Sequence, residues 1–269
     1  MPGRTSLIRR AQNKWRRVAI SRWGRRAFRL QSDVPYVSFT FDDYPRSAWA
    51  EGGRILREHG VHGTYFVSMG LLGRDSVSGP IATQRELEQT VEDGHELGCH
   101  TFDHLDGTQA GPEAFVASIA ANRAALCDVF PEAELPVFAF PLEGPTLAVK
   151  REVGRRFLAC RGGGQSFNAG EIDLNLLQSF FIDWKSRGDI GAIGRLIDDN
   201  TAARGWLILD THDVTPAPSD YGCTPACFGE IVSHACRSGA RVLPVAQVCR
   251  ELGVSPPAGA ASPLPGSGK

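Results

Sequence analysis

From Val34 onward, short apolar runs alternate with helix-patterned segments, and this repeated βα order points to parallel strands joined by crossover helices. Runs at 36–41, 63–67, 95–99, 136–140, 156–160, 176–182, 206–210 and 241–244 read as strands, with helices expected near 47–59, 84–93, 113–129, 145–155, 189–203 and 225–238. The pattern suits either a closed barrel or a doubly wound sheet. Polar clusters decide between them, because TFDD, CHTFDH, AFPLEG, IDW and LDTHD each follow the end of an expected strand. Five strand ends then deliver polar groups to one place, as the C-terminal face of a parallel α/β barrel does. At 269 residues, one large domain with a proper core takes nearly the whole chain.

Composition sets two flanking segments apart. Residues 1–30 hold ten Lys or Arg and no acid, leaving nineteen basic against thirty acidic side chains in the remainder, so a net charge of −1 conceals a basic arm on an acidic body. Within that arm Ile8, Ala11, Trp15, Ala19, Trp23, Ala27 and Leu30 recur at intervals of three and four, the pattern of an amphipathic basic helix. Two uses fit equally: packing on the outside of the barrel, or lying on an anionic membrane surface. No recognised binding motif accompanies the arm, so nucleic acid is set aside as a partner. The Pro-, Gly-, Ala- and Ser-rich stretch 253–269 reads as a disordered tail, which leaves 31–252 as the folded domain. No long apolar run is present, so neither a transmembrane helix nor a secretory signal core is read. The expected location is cytoplasmic, with the inner face of the cell membrane as the surface the arm would meet. Seven Cys without a CxxC indicate neither a disulfide framework nor a zinc knuckle, and Cys223 and Cys227 read as buried thiols.

The chemistry concentrates in three places. Asp42 and Asp43 stand at the end of the first strand in SFTFDDYP, and His100 and His104 lie four apart in CHTFDH. One Asp and two His leave a divalent metal with open positions for water and substrate, the arrangement of a hydrolytic site. Asp43 is read as the ligand beside the two imidazoles, with Asp42 as the spare base; His95, between Gly94 and Gly98, is read as structural. Zinc suits these donors best, and Co2+, Ni2+, Fe2+ and Mn2+ fit the same set. His212 follows the most apolar strand and is the natural general acid, since amide hydrolysis needs a base for the water and an acid for the departing amine. Asp183 could orient His212 or sit exposed, and Asp210 and Asp213 compete for the same role.

These five blocks, in this order, resemble the polysaccharide deacetylase family, also called carbohydrate esterase family 4 or the NodB homology group, over about residues 35–250. SFTFDD is similar to its first motif, GHELGCHTFDH to its second, FAFPLEG to its third, IDW to its fourth and LILDTHD to its fifth. The resemblance implies a distorted barrel of seven or eight strands and metal-dependent removal of an acetyl group from an N-acetylated sugar. It implies Asp43, His100 and His104 as metal ligands, Asp42 as base, His212 as acid and Asp183 as the group that tunes His212. Pro141, Leu142, Trp184 and Leu209 would contact substrate, the last two lining a pocket for the acetyl methyl, with a backbone N–H near Leu142 sharing the oxyanion charge. The third motif departs from the family: Ala139 stands where many members place an Arg that pairs with the base, Glu143 is inserted before Gly144, and Leu142 replaces a common aromatic. The expected activity is N-deacetylation of a polysaccharide, oligosaccharide or lipid-linked glycan. The alternatives are an esterase or other amide hydrolase on this scaffold, or a catalytically silent glycan-binding protein.

Overall fold

A computed structural model describes residues 14–142 and 144–257. Eight strands, all paired in parallel, build its main sheet: β1 (Tyr36–Phe41), β2 (Thr64–Val67), β3 (Glu96–Cys99), β4 (Val137–Ala139), β5 (Ala159–Arg161), β6 (Phe180–Phe181), β7 (Trp206–Thr211) and β8 (Arg241–Val242). The spatial order is β6-β7-β1-β2-β3-β4-β5, with β8 paired to β1. Around it lie α1 (14–22), α2 (Arg54–Glu58, continuing a π-helical turn at Ala48–Gly53), α3 (Gln84–Glu92), α4 (Pro112–Val129), α5 (Leu147–Val153), α6 (Ile190–Ala202), α7 (Pro225–Arg237) and α8 (Val245–Glu251).

The barrel is distorted for two visible reasons. β1 pairs with β2 only through Thr40 and Phe41, while β8 takes up Tyr36 and Val37, so β8 is a wedge that splays β1 and β2 apart at the base. At the opposite seam, the irregular segment before β6 bonds back to β5, Leu177 N donating to the Cys160 carbonyl at 2.8 Å and Gly162 N to the Leu177 carbonyl at 2.9 Å. A curled sheet therefore closes without a full last strand.

Strand alternation divides the core into two shells. Phe39, Phe41, Tyr65, Leu207 and Leu209 face outward and pack in one cluster with Phe228, Ile231, Ile193 and Ile197 of α6 and α7. Tyr36, Phe66, Val137, Ala139, Ala159, Trp206 and Ile208 form the inner cluster. Its base is closed by α8, whose Val245, Ala246, Val248 and Cys249 are all buried there. The amides of Val245 and Ala246 donate to Thr64 Oγ1 at 3.0 Å and to the Glu96 carboxylate at 3.0 and 3.1 Å. This short helix was not expected from the sequence, because seven residues give too little periodicity to read. All seven cysteines are free thiols, as expected, and no helix among the described residues is long and apolar enough to cross a membrane.

The basic arm is shorter as a helix than its apolar spacing implies. Gly24, at φ +64°, takes the left-handed turn that ends α1, and the strand Ala27–Arg29 then pairs antiparallel with Glu171–Asp173. Buried Lys150 holds this junction, donating to the carbonyls of Ile20 and Trp23 and to Asp173 Oδ2 at 2.6 Å. Arg26 adds bonds to the carbonyls of Gly154 at 3.2 Å and Phe157 at 3.1 Å. Residues 19–30 are thus built into the domain. The first part of the expected helix, 1–13, and most of the expected tail, 258–269, lie outside the described residues.

Candidate metal centre and active site

Alternation along β1 points Ser38, Thr40 and Asp42 into the barrel, and Asp42 N continues the ladder by donating to the Thr211 carbonyl at 3.1 Å. Immediately after, Asp43 and Tyr44 take positive φ of 60° and 59°. The chain turns sharply there, which lets two successive carboxylates serve one mouth. Thr101 at 63°, His104 at 53° and Leu142 at 57° repeat the device, so most non-glycine left-handed residues among those described cluster at these strand ends. Such conformations cost about 1–3 kcal/mol each and persist where surrounding contacts over-determine them.

Asp43, His100 and His104 offer ligand atoms that all lie within 4.8 Å of one another. Asp43 Oδ1 is 3.6 Å from His100 Nε2 and 3.1 Å from His104 Nε2, yet it is buried with no hydrogen bond of its own. His100 Nδ1 lies 2.9 Å from the Ala139 carbonyl, which can only accept, so Nδ1 carries the proton and the Nε2 lone pair faces Asp43. Burial pushes the His100 imidazole down to about 4, keeping it neutral as a ligand must be. An orphaned carboxylate oxygen and an imidazole lone pair converging on one point fit a divalent cation better than they fit each other.

The base has the partner that Ala139 could not supply. Arg161, at the end of β5, is the register neighbour of Ala139, and its guanidinium reaches both oxygens of Asp42. It also donates to Asp210 Oδ2 at 2.8 Å and Ser179 Oγ at 3.2 Å, and its Cζ lies 5.1 Å from the centre of the Phe66 ring. Burial alone would raise Asp42, but the Arg161 guanidinium beside it outweighs that and holds the carboxyl below its usual range. Asp210 shares the same guanidinium and goes the other way, pushed well up by its burial and by the Asp42 charge. One cation serves two buried carboxylates unequally, holding Asp42 below its usual range while Asp210 stays above its own. Sequence reading missed Arg161 because the fifth strand was ended one residue early, at Cys160; period-two counting from Ala159 would have turned it inward.

His212 leaves the end of β7 with Nδ1 3.6 Å from Asp43 Oδ2. Its ring packs against Phe181 and Tyr221, each with its centroid 5.4 Å away and Tyr221 nearly parallel at 29°, and those two rings stack on each other at 6.5 Å. The expected partner, Asp183, does not contact it. Asp183 Oδ1 instead accepts from the amides of Lys185 at 2.9 Å and Ser186 at 3.1 Å, closing a turn after β6. What touches Nδ1 is Ser78 Oγ, at 3.3 Å, from the tip of the small hairpin pairing Asp75–Ser76 with Gly79–Pro80. Ser78 Oγ is 3.4 Å from Ser219 Oγ, which donates to Asp213 Oδ1 at 2.5 Å. Two hydroxyls therefore link His212 to a buried Asp; nothing in the sequence around Ser78 signals this.

Of the expected substrate contacts, Leu209 requires correction. It is 1% exposed and packs outward in the cluster under α6 and α7, because Asp210 takes the inward position on β7. Pro141 is buried after β4, Leu142 and Trp184 are exposed, and Glu143 lies outside the described residues. Trp184 is fixed through its amide, which donates to the Asp220 carbonyl at 2.9 Å.

The fold is a distorted parallel α/β barrel, and an Asp, two His and a buried Asp–Arg pair meet at its strand ends. The polysaccharide deacetylase family model matches residues 30–154, a stretch holding the first three motifs, and over that stretch the chain is similar to the family. It is 27% identical over 187 residues to the peptidoglycan-N-acetylglucosamine deacetylase PgdA of Listeria monocytogenes, an alignment covering 68% of this chain and 34% of that protein. The chain thus spans about a third of the length of these curated relatives. Among solved structures, the Xyl-CE4 domain of a multidomain xylanase from the hindgut metagenome of Trinervitermes trinervoides superposes with a TM-score of 0.60 at 18% identity, over 84% of this chain and 94% of that one. The chitin deacetylase of the fungal pathogen Colletotrichum lindemuthianum gives 0.58 at 17% identity, over 82% and 89%. These likenesses establish the shared fold.

Proposed function

We propose that this chain hydrolyses the N-acetyl group of an acetamido sugar in a polysaccharide, oligosaccharide or lipid-linked glycan. The observation carrying this reading is the pairing of Asp42 with Arg161 beside the Asp43, His100 and His104 cluster, because it supplies an ionised base next to a ligand set. The similarity to deacetylases of peptidoglycan and chitin supports the substrate class. Asp43, His100 and His104 would hold a divalent cation, which when bound would supply Lewis acidity for the acetyl carbonyl and a lowered pKa for the attacking water. Asp42 accepts the proton of that water, and Arg161 keeps the carboxylate oriented. His212, at the end of the neighbouring strand β7, delivers a proton to the departing amine nitrogen. Zinc suits two imidazoles and one carboxylate best, with Co2+, Ni2+, Fe2+ and Mn2+ as alternatives that elemental analysis separates.

Mass spectrometry of acetylated glycans before and after treatment is the direct test: loss of acetyl with appearance of free amine is expected. Acetate release without amine would instead make the chain an esterase, and no change on any acetylated glycan would favour a silent binding protein. His104→Ala should weaken metal retention beyond the roughly 10–100-fold caused by losing an outer partner of a ligand. Metal content after dialysis checks this, and full retention would remove His104 from the ligand set. Ser78→Ala should lower kcat roughly three- to tenfold with little change in KM, the size of one neutral hydrogen bond. Steady-state kinetics with Ser78→Thr as the rescuing variant would show whether the hydroxyl matters.

A further inference from the structure

The outer face of α1 is built for a surface. Ala19 and Ile20 are buried against the domain, while Trp15, Val18 and Trp23, along the same helix and just past its end, stay 69%, 42% and 49% exposed, the two indole rings 6.3 Å apart. Lys14, Arg17 and Arg22 are exposed around them and make no ion pair among the described residues, and residues 1–30 contain no acid at all. The rest of the body is acidic, so this is an island of opposite sign. The face cannot fold away, because Lys150 and Arg26 tie the end of the helix to the barrel. The packed-helix and membrane readings of the arm are therefore not alternatives: Ala19 and Ile20 serve the first and leave the exposed indoles and cations for the second.

We propose that this face docks the domain on an anionic lipid bilayer. Indoles flanked by guanidinium and ammonium groups suit the headgroup boundary, where the ring is half apolar and half wet and the long cationic side chains reach the phosphates. A bilayer is favoured over a protein partner because every charged side chain in residues 1–30 is basic and none is a carboxylate that could pair with a partner's cations. The end of the helix is fixed against the barrel: Lys150 of α5 holds the Ile20 and Trp23 carbonyls, and Arg26 is anchored to Gly154 and Phe157 just before β5.

Flotation of the full chain with vesicles tests this independently of the proposed reaction. Binding is expected with phosphatidylcholine mixed with phosphatidylglycerol, not with phosphatidylcholine alone, and should fade as salt shortens the Debye length from about 10 Å at 0.1 M to about 3 Å at 1 M. Each cation near such a surface gives roughly a fivefold gain in partition, so Arg17→Glu/Arg22→Glu should lose at least ~25-fold. Trp15→Ala/Trp23→Ala should also cut partition while leaving melting temperature and turnover of a soluble acetylated oligosaccharide unchanged. No flotation, equal flotation with neutral vesicles, or variants that float as well as the parent would each overturn the proposal. So would a concentration-dependent dimer that the Trp variant dissolves, since the face would then be covering a second copy. An inactive but normally floating parent would count against the proposed reaction alone.

Discussion

Asp42→Asn is expected to reduce turnover by roughly 10²–10⁴-fold, the contribution of a positioned general base, while metal content stays at the parental level. The substitution keeps shape and removes only the proton acceptor. Folding should be little affected, because Arg161 retains Asp210 at 2.8 Å and Ser179 at 3.2 Å as partners. In the parent, the acid limb of kcat/KM should fall below the ordinary carboxylate range, since Arg161 holds Asp42 down. Lowering the pH through that depressed value protonates the base and activity is lost. A variant with parental kcat and parental metal would end the assignment of Asp42 as base.

Arg161→Met is expected to damage stability and activity together, for different reasons. Removing one partner of a buried ion pair typically costs about 3–5 kcal/mol, because the remaining charges stay buried without compensation. Here two carboxylates are left facing each other, so the loss should reach that range, or a fall in Tm on the order of ten degrees. Activity falls further because Asp42 loses both its orientation and the cation that keeps it ionised, and the acid limb of the pH profile should move upward. Arg161→Met/Asp210→Asn separates the two effects, since neutralising Asp210 removes the repulsion without restoring the base's partner. Recovery of Tm with turnover still low is the expected pattern in calorimetry and steady-state kinetics. Parental Tm and turnover in the single variant would show that the guanidinium is dispensable.

Much of this arrangement is legible in the sequence because parallel strands are written as apolar runs with polar groups at their ends. The eight runs all became strands of one sheet, and Asp43, His100 and His104 meet although the two His lie far along the chain from the Asp. Roles that depend on which face a side chain takes were harder. Leu209 belongs to a fully buried strand with no polar alternation to mark its inward side, so its placement in the pocket rested on resemblance and failed. Asp183 beside His212 is an expectation that rests on the resemblance alone; its carboxylate is consumed by the Lys185 and Ser186 amides of a tight turn, which no strand-end pattern encodes. Ser78 reaches His212 across 134 positions of sequence, through a hairpin whose strands are two residues each. No local pattern encodes such a contact.

The bridge made by Arg161 also bears on how the barrel finds its alignment. Every residue of β7 is buried, so apolar content alone discriminates poorly between adjacent registers against β1. A slip of one residue would carry Leu209 into the interior and set Asp210 against Phe228 and Ile231, leaving the guanidinium with Asp42 alone. The charge cluster therefore acts as an alignment mark for three strands, and the penalty for reading it wrongly falls on the folding chain before any substrate is met.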